Sequence, residues 1–114
     1  MSEKSPPFVS VIMPIRNEAD FVERAITSII DNDYPVDKME ILVVDGMSDD
    51  GTRQILEKLA QADGRIRVLD NPKRIVPTAM NIGIKAARGD LFIRVDGHAE
   101  IQADFIAPPA FGID

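Results

Sequence analysis

The chain has 114 residues, 45% of them apolar, and a formal charge of -6, with a mean hydropathy of -0.04 and a pI of about 4.7. That is enough chain for one domain with its own core and too apolar for a disordered segment. The acidic balance, with no basic run, excludes a broad footprint on nucleic acid or anionic lipid, and zero cysteines exclude disulfides, thiolate metal sites and a cysteine nucleophile.

No stretch approaches the roughly 18 apolar residues of a membrane span, and the polar start MSEKSPP lacks the apolar core of a secretion signal. The cytoplasm is the expected compartment, in keeping with the absence of cysteine.

Residues 8 to 14 are apolar almost throughout and predict a strand buried on both faces of a parallel sheet, ended by Pro14. Asn17, followed by Glu18 and Asp20, suits the N-cap of a helix with acids at its positive end. Phe21, Ala25 and Ile29, with Val22, Ile26 and Ile30, then form one apolar stripe that should pack on the sheet. After the turn cluster Asn32-Asp33-Tyr34-Pro35, EILVV predicts a second buried strand ending at Asp45. Ser48, Asp49 and Asp50 offer caps for a second helix that turns Ile55, Leu56, Leu59 and Ala60 inward. IRVLD predicts the third strand. Pro77 fits the first turn of a third helix running to Arg88, with Gly89 as its stop, and LFIRVD is the fourth strand. This alternation is the sequence form of a mostly parallel α/β sheet, a Rossmann-like half with helices on both faces.

Each apolar run stops at a polar cluster: Arg16-Asn17-Glu18, Asp45, Asn71 to Arg74, and Asp96-Gly97-His98. In open α/β sheets, ligands bind beyond the carboxyl ends of the strands, which is where these clusters fall. Asp45 can accept from ribose hydroxyls or a base N–H, or it can be an ordinary turn aspartate. In an extended segment Asp96 and His98 project to one side and could share an ion, with Gly97 admitting close approach; an ordinary loop with a solvated histidine is the alternative. Arg16-Asn17-Glu18 can contact a base, cap the first helix, or both. Lys73 and Arg74 reach a phosphate or are simply solvated, Arg74 being the better candidate because its fork matches phosphate oxygens. Asn81 and Gly83 lie inside the third helix, where packing best explains the glycine.

The first strand–helix turn, PIRNEAD, has no glycine, so the dinucleotide-binding fingerprint is absent, and neither a P-loop nor a G-x-S-x-G elbow occurs. Dehydrogenases, P-loop NTPases and α/β-hydrolases are disfavoured.

The segments VSVIMPIRNEADFVERAITSI, ILVVDGMSDDGT and NPKRIVPTAMNIGIKAARGDLFIRVDGHAEI resemble, in order and over nearly the whole chain, the family 2 glycosyltransferases of GT-A fold. DGMSDDGT and VDGHAEI are similar to the branch that builds succinoglycan-type exopolysaccharides. The resemblance implies that residues 1–114 are the N-terminal nucleotide-sugar-binding part of a longer GT-A domain. It implies an inverting transfer from a nucleotide-diphospho-sugar, a UDP-sugar being the expected donor, to a hydroxyl of a saccharide or lipid-linked acceptor. Membrane contact would come through segments outside this chain, at the cytoplasmic face.

By the same resemblance Pro14, Arg16, Asn17 and Glu18 line the nucleotide pocket and Asp45 faces the base; Asn81 falls in the third-helix donor motif, and the arginine missing from that motif makes Arg74 the phosphate candidate at the donor. Asp96 is the first acid of the D-x-D motif, and Asp96 with His98 would bind a divalent cation, Mn or Mg. The sequence departs from the family in three places: His98 stands where the second acid is usual, Gly46 follows Asp45 in place of a second Asp, and Met80 replaces the arginine of the third helix. The catalytic base is expected further on, since neither Asp104 nor Asp114 has a motif around it. Two rival readings are a non-catalytic nucleotide-binding remnant and a receiver-type module with Asp45 as phosphoacceptor; the latter lacks the acidic pair expected after its first strand.

Overall fold

The computed structural model describes residues 6–102. Four strands alternate with three helices: β1 (Val9–Ile15), α1 (Val22–Ile30), β2 (Met39–Asp45), α2 (Thr52–Ala62), β3 (Ile66–Asp70), α3 (Val76–Ala86) and β4 (Leu91–Arg94), with a single 3-10 turn at Val36–Lys38. The sheet order is β3-β2-β1-β4, and every adjacent pair is parallel. The expected Rossmann-like architecture is the one observed, and Asp104 and Asp114 lie outside the described residues.

Alternation along the strands divides the core in two. Val9, Val11 and Met13 of β1 and Met39, Ile41 and Val43 of β2 pack with Val22, Ala25, Ile26 and Ile29 of α1 and Leu56 of α2. Ile12, Leu42 and Val44 turn the other way and meet Ala79, Met80 and Ile82 of α3. Helices therefore cover both faces, as an all-parallel sheet with apolar runs on each side requires. Gly83 is the point of closest approach between α3 and β1: a Cβ there would lie 2.5 Å from Cγ2 of Ile12.

Three local expectations change. Asn17 does not cap α1, which begins only at Val22 after a turn in which Phe21 and Val22 donate to the Glu18 carbonyl. Phe21 accordingly leaves the apolar stripe and is exposed. α3 ends at Ala86 rather than Arg88 because Ala87 is already extended. Gly89 is required for contact instead of helix termination: its N–H donates to Ser10 Oγ at 2.9 Å, and a Cβ would fall 2.7 Å from both the Phe8 carbonyl oxygen and the Ser10 nitrogen.

Around that contact lies a buried carboxylate. Glu40 is 1% exposed on the α3 side of β2 and accepts from Ser10 Oγ at 2.6 Å, from the Arg88 N–H at 2.7 Å, and from the guanidinium groups of Arg88 and Arg67. Burial pushes its carboxyl upward, but the hydrogen bonds from Arg88 and Ser10 outweigh burial and hold it below the usual range. A carboxyl lowered in this way stabilises the fold fully above its unfolded value of about 4.3, and the contribution drains away as pH falls through the lower folded value. Replacing Glu40 with Gln should reduce stability at pH 7 by about 1–3 kcal/mol, with the gap to wild type closing as the pH is lowered below 4. Urea unfolding monitored by circular dichroism at several pH values checks this.

Candidate functional site

The strand order places the candidate site. The chain winds outward from β1 through β2 to β3, then returns to pair β4 on the opposite side of β1. In such sheets the connections on either side of the reversal leave toward opposite faces, opening a crevice beyond the strand ends. Here the crevice encloses about 270 Å³ between the ends of β1 and β4 and the start of α3. Pro14, Arg16 and Glu18 line one wall, Asn71, Arg74 and Val76 a second, and Arg94, Asp96 and His98 the third.

The first wall is held from behind by the loop that follows β2. Arg16 donates to the Gly46 and Met47 carbonyls at 2.5 and 3.0 Å. Asn17, in the left-handed region at φ 53°, exchanges two bonds: its N–H donates to Ser48 Oγ, and its Oδ1 accepts from the Asp49 N–H. The Glu18 N–H donates to Thr52 Oγ1 and the Ala19 N–H to Asp50 Oδ2. Asp50 also receives the Thr52 hydroxyl and N–H at the start of α2, but the N-cap position is held by Gly51 in the left-handed region rather than by Ser48, Asp49 or Asp50. The hydroxyl bond is the main reason the Asp50 carboxyl lies below the usual range.

Asp45 takes part in this scaffold rather than in the crevice. It follows Met39, Ile41 and Val43 in the alternation, so its carboxylate faces α2, where it accepts from Ser48 Oγ at 2.6 Å and from Arg53 at 3.3 Å. Asp45 and Asp96 share a sheet edge, but they do not converge on one crevice as the sequence suggests. At 1% exposure Asp45 is also inaccessible as a phosphoacceptor, which removes the receiver reading.

Arg53 was not singled out by the sequence. It pairs with Asp45, with Asp70 at 2.6 Å and with Glu57 at 3.1 Å, and the hydrogen bond it donates to Asp70 is the largest influence holding it protonated well above its ordinary range. Asp45 and Asp70 are direct partners across β2 and β3, a like-charge juxtaposition that a cation must offset. The available signal was a cation in the first turn of a helix, an unfavourable place unless acids surround it.

The second wall is pinned by buried Asn71, whose amide donates to the Ile75 carbonyl and accepts from Thr78 Oγ1. This loop carries Arg74 at φ 67°, exposed, its guanidinium without a partner among the described residues. α3 begins beside it, so its positive dipole end lies at the crevice and favours an anion there, although Pro77 in the first turn supplies no N–H. Asn81, exposed on α3, does not line the crevice, and neither does Asn17.

On the third wall Asp96 to Ala99 form a turn closed by the Ala99 N–H on the Asp96 carbonyl at 3.1 Å. The extended geometry expected to bring Asp96 and His98 onto one ion is therefore absent. Asp96 Oδ1 accepts from Arg94, while His98 Nδ1 sits 3.2 Å from Glu18 Oε2. Gly97 makes the turn possible by lying against β1, where a Cβ would be 2.4 Å from Cδ1 of Ile15 and 3.1 Å from Cγ of Glu18. Among the described residues no group of three His, Cys, Asp or Glu side chains could hold a metal by itself. The second oxygen of Asp96 has no partner among the described residues, a donor set that suits a hard cation completed by phosphate oxygens and water rather than a dedicated protein cage.

With this geometry in place, comparison with known proteins defines the class. The glycosyl transferase family 2 profile matches residues 10–109, and the chain belongs to that family. The dolichyl N-acetyl-alpha-D-glucosaminyl phosphate 3-beta-D-2,3-diacetamido-2,3-dideoxy-beta-D-glucuronosyltransferase of Methanococcus voltae is 36% identical over 101 residues, covering 87% of this chain and 32% of the relative. The succinoglycan biosynthesis protein ExoA of Rhizobium meliloti is 36% identical over 97 residues, covering 83% of this chain and 29% of the relative. The chain thus spans about a third of the length of these relatives. Among solved structures, the mannosyltransferase PcManGT from Pyrobaculum calidifontis, in complex with GDP-Man and Mn2+, superposes with a TM-score of 0.81 at 31% identity, over 88% of this chain and 30% of that one. TarS of S. aureus in complex with UDP-GlcNAc gives 0.75 at 27% identity, over 84% and 28%. The fold is a Rossmann-like GT-A fold. No helix among the described residues is long and apolar enough to cross a membrane.

The Arg53 assignment is testable. Arg53→Ala leaves Asp45 buried beside Asp70 without its cation and should cost about 1–3 kcal/mol, much of it recovered by adding Asp45→Asn. Chemical denaturation of both single variants and the double variant measures the coupling; strictly additive losses would show that the two residues act independently.

Proposed function

We propose that this chain is the donor-binding part of a glycosyltransferase that moves a sugar from a nucleotide-diphospho-sugar to an acceptor hydroxyl with inversion, in polysaccharide or glycolipid synthesis at the cytoplasmic side. The observation that carries the reading is the crevice at the strand-order reversal, where Arg74, without a side-chain partner among the described residues, and the positive end of α3 share a lining with Asp96. Cationic groups there suit the diphosphate, and the opening toward Pro14 and Arg16 suits the nucleoside. A UDP-sugar is the preferred donor, supported by the TarS complex, although the GDP-Man complex of PcManGT keeps a guanine donor in contention for the test. Acceptor and catalytic base belong to the longer protein.

When bound, a divalent cation neutralises charge building on the departing diphosphate. Asp96 would hold it, its other ligands coming from phosphate oxygens and water rather than from His98, which is turned to Glu18. The chain's own residues do the remaining work: Arg74 orients the phosphates, and the docked loop from Arg16 to Ala19 keeps the nucleoside wall rigid. Asp45 contributes by fixing the neighbouring loop through Ser48.

Calorimetric titration with UDP, GDP and ADP, each with and without Mn²⁺, tests the reading. One uridine or guanosine diphosphate should bind selectively, Asp96→Ala should abolish the Mn²⁺ enhancement, and Arg74→Ala should weaken binding about tenfold, the loss expected for one charged hydrogen bond. Equal weak binding of all three nucleotides, unchanged in both variants, would contradict it.

A further inference from the structure

We propose that Arg94 is a second diphosphate-binding residue of the crevice, one that exchanges Asp96 for phosphate when the donor enters. The inference rests on the donor reading above and adds a residue to it. Arg94 is the last residue of β4 and pairs in register with Ile12, so alternation turns it away from Ile93 and Val95, which join the α1 and α2 core, and toward the crevice it lines.

Most other arginines are already committed. Arg16 serves two carbonyls, Arg53 three carboxylates, Arg65 pairs with Asp63, and Arg67 and Arg88 hold Glu40. Arg94 has one partner among the described residues, Asp96 Oδ1, reached by Nε and by a terminal nitrogen at 3.1 Å each. The two side chains are 50% and 48% exposed. An ion pair so open to water contributes little, so giving it up for a phosphate costs little. The planar fork that now grips one carboxylate oxygen has the shape to grip a diphosphate oxygen pair.

The exchange also resolves a charge conflict. A diphosphate entering beside Asp96 meets a carboxylate, and Arg94 is the cation attached to that carboxylate. Moving the guanidinium onto the phosphate leaves it between the two negative groups and frees Asp96 for other ligands. Arg94 and Arg74 then hold the diphosphate from different walls.

The test is titration in EDTA, so that the residue is read apart from any cation, using UDP with uridine and GDP with guanosine on wild type, Arg94→Ala and Arg94→Lys. Arg94→Ala should weaken the preferred diphosphate tenfold or more, leave the matching nucleoside within twofold, and be partly rescued by Arg94→Lys, which restores charge without the fork. Unchanged diphosphate affinity in Arg94→Ala would overturn the proposal, as would equal proportional loss of diphosphate and nucleoside, the mark of a structural role. A wild type that binds a diphosphate only with Mn²⁺ would overturn the role of Arg94, and one that binds neither diphosphate in EDTA or with Mn²⁺ would overturn the donor reading with it.

Discussion

The position of β1 governs the rest of the molecule. It lies inside the sheet with β2 on one side and β4 on the other, and right-handed crossovers running in opposite directions across the sheet, outward to β3 and back to β4, must cover opposite faces. The divided core records that outcome, with α1 and α2 on one side of β1 and α3 on the other. Between the diverging connections backbone cannot fill the space, and the crevice remains. Its chemistry is then set by whichever residues end β1 and β4 and begin α3.

Keeping those residues in place takes local strain. The loops after β1, β2 and β3 each contain a non-glycine residue with positive φ: Asn17, Met47 and Arg74. Each such conformation costs on the order of 1 kcal/mol or more and persists only where surrounding contacts determine it. For Asn17 those contacts are its paired bonds with Ser48 and Asp49. Arg74 follows a turn closed by its own N–H on the Asn71 carbonyl, with Asn71 held in turn by Ile75 and Thr78. The carboxylate network around Glu40 plays a comparable part near the opposite edge, tying the segment after α3 to the second residues of β1 and β2.

Much of this was legible in the sequence, for identifiable reasons. Apolar runs of strand length alternating with fourfold apolar stripes specify a parallel α/β sheet, and each run's last residues marked the edge where Arg16, Arg74, Asp96 and His98 gather. Periodicity reports that a side chain is buried or sits at an edge, not which helix it faces. Asp45 was thus placed on the right edge but turned toward α2 rather than the crevice. Asn17 looked like a cap because caps are local, whereas its partners lie some thirty residues away across the gap between two loops. Gly89 looked like a helix stop, but its need for a bare Cα comes from Ser10 of β1 and from Phe8 just before that strand. Arg53 meets Asp45 and Asp70 only through the fold, and although Arg94 stands two residues from Asp96, only the register of β4 shows that it turns into the crevice.

The central claim is that the crevice between β1 and β4, rather than the acidic end of β2, receives the donor. Recording amide resonances of ¹⁵N-labelled protein during titration with UDP and GDP tests it most directly. The account predicts that the largest shifts fall on Arg74, Val76, Asp96, Gly97 and His98. Shifts concentrated on Arg24, Thr27 and Arg53, on the α1 and α2 side, with those crevice amides unmoved, would contradict it.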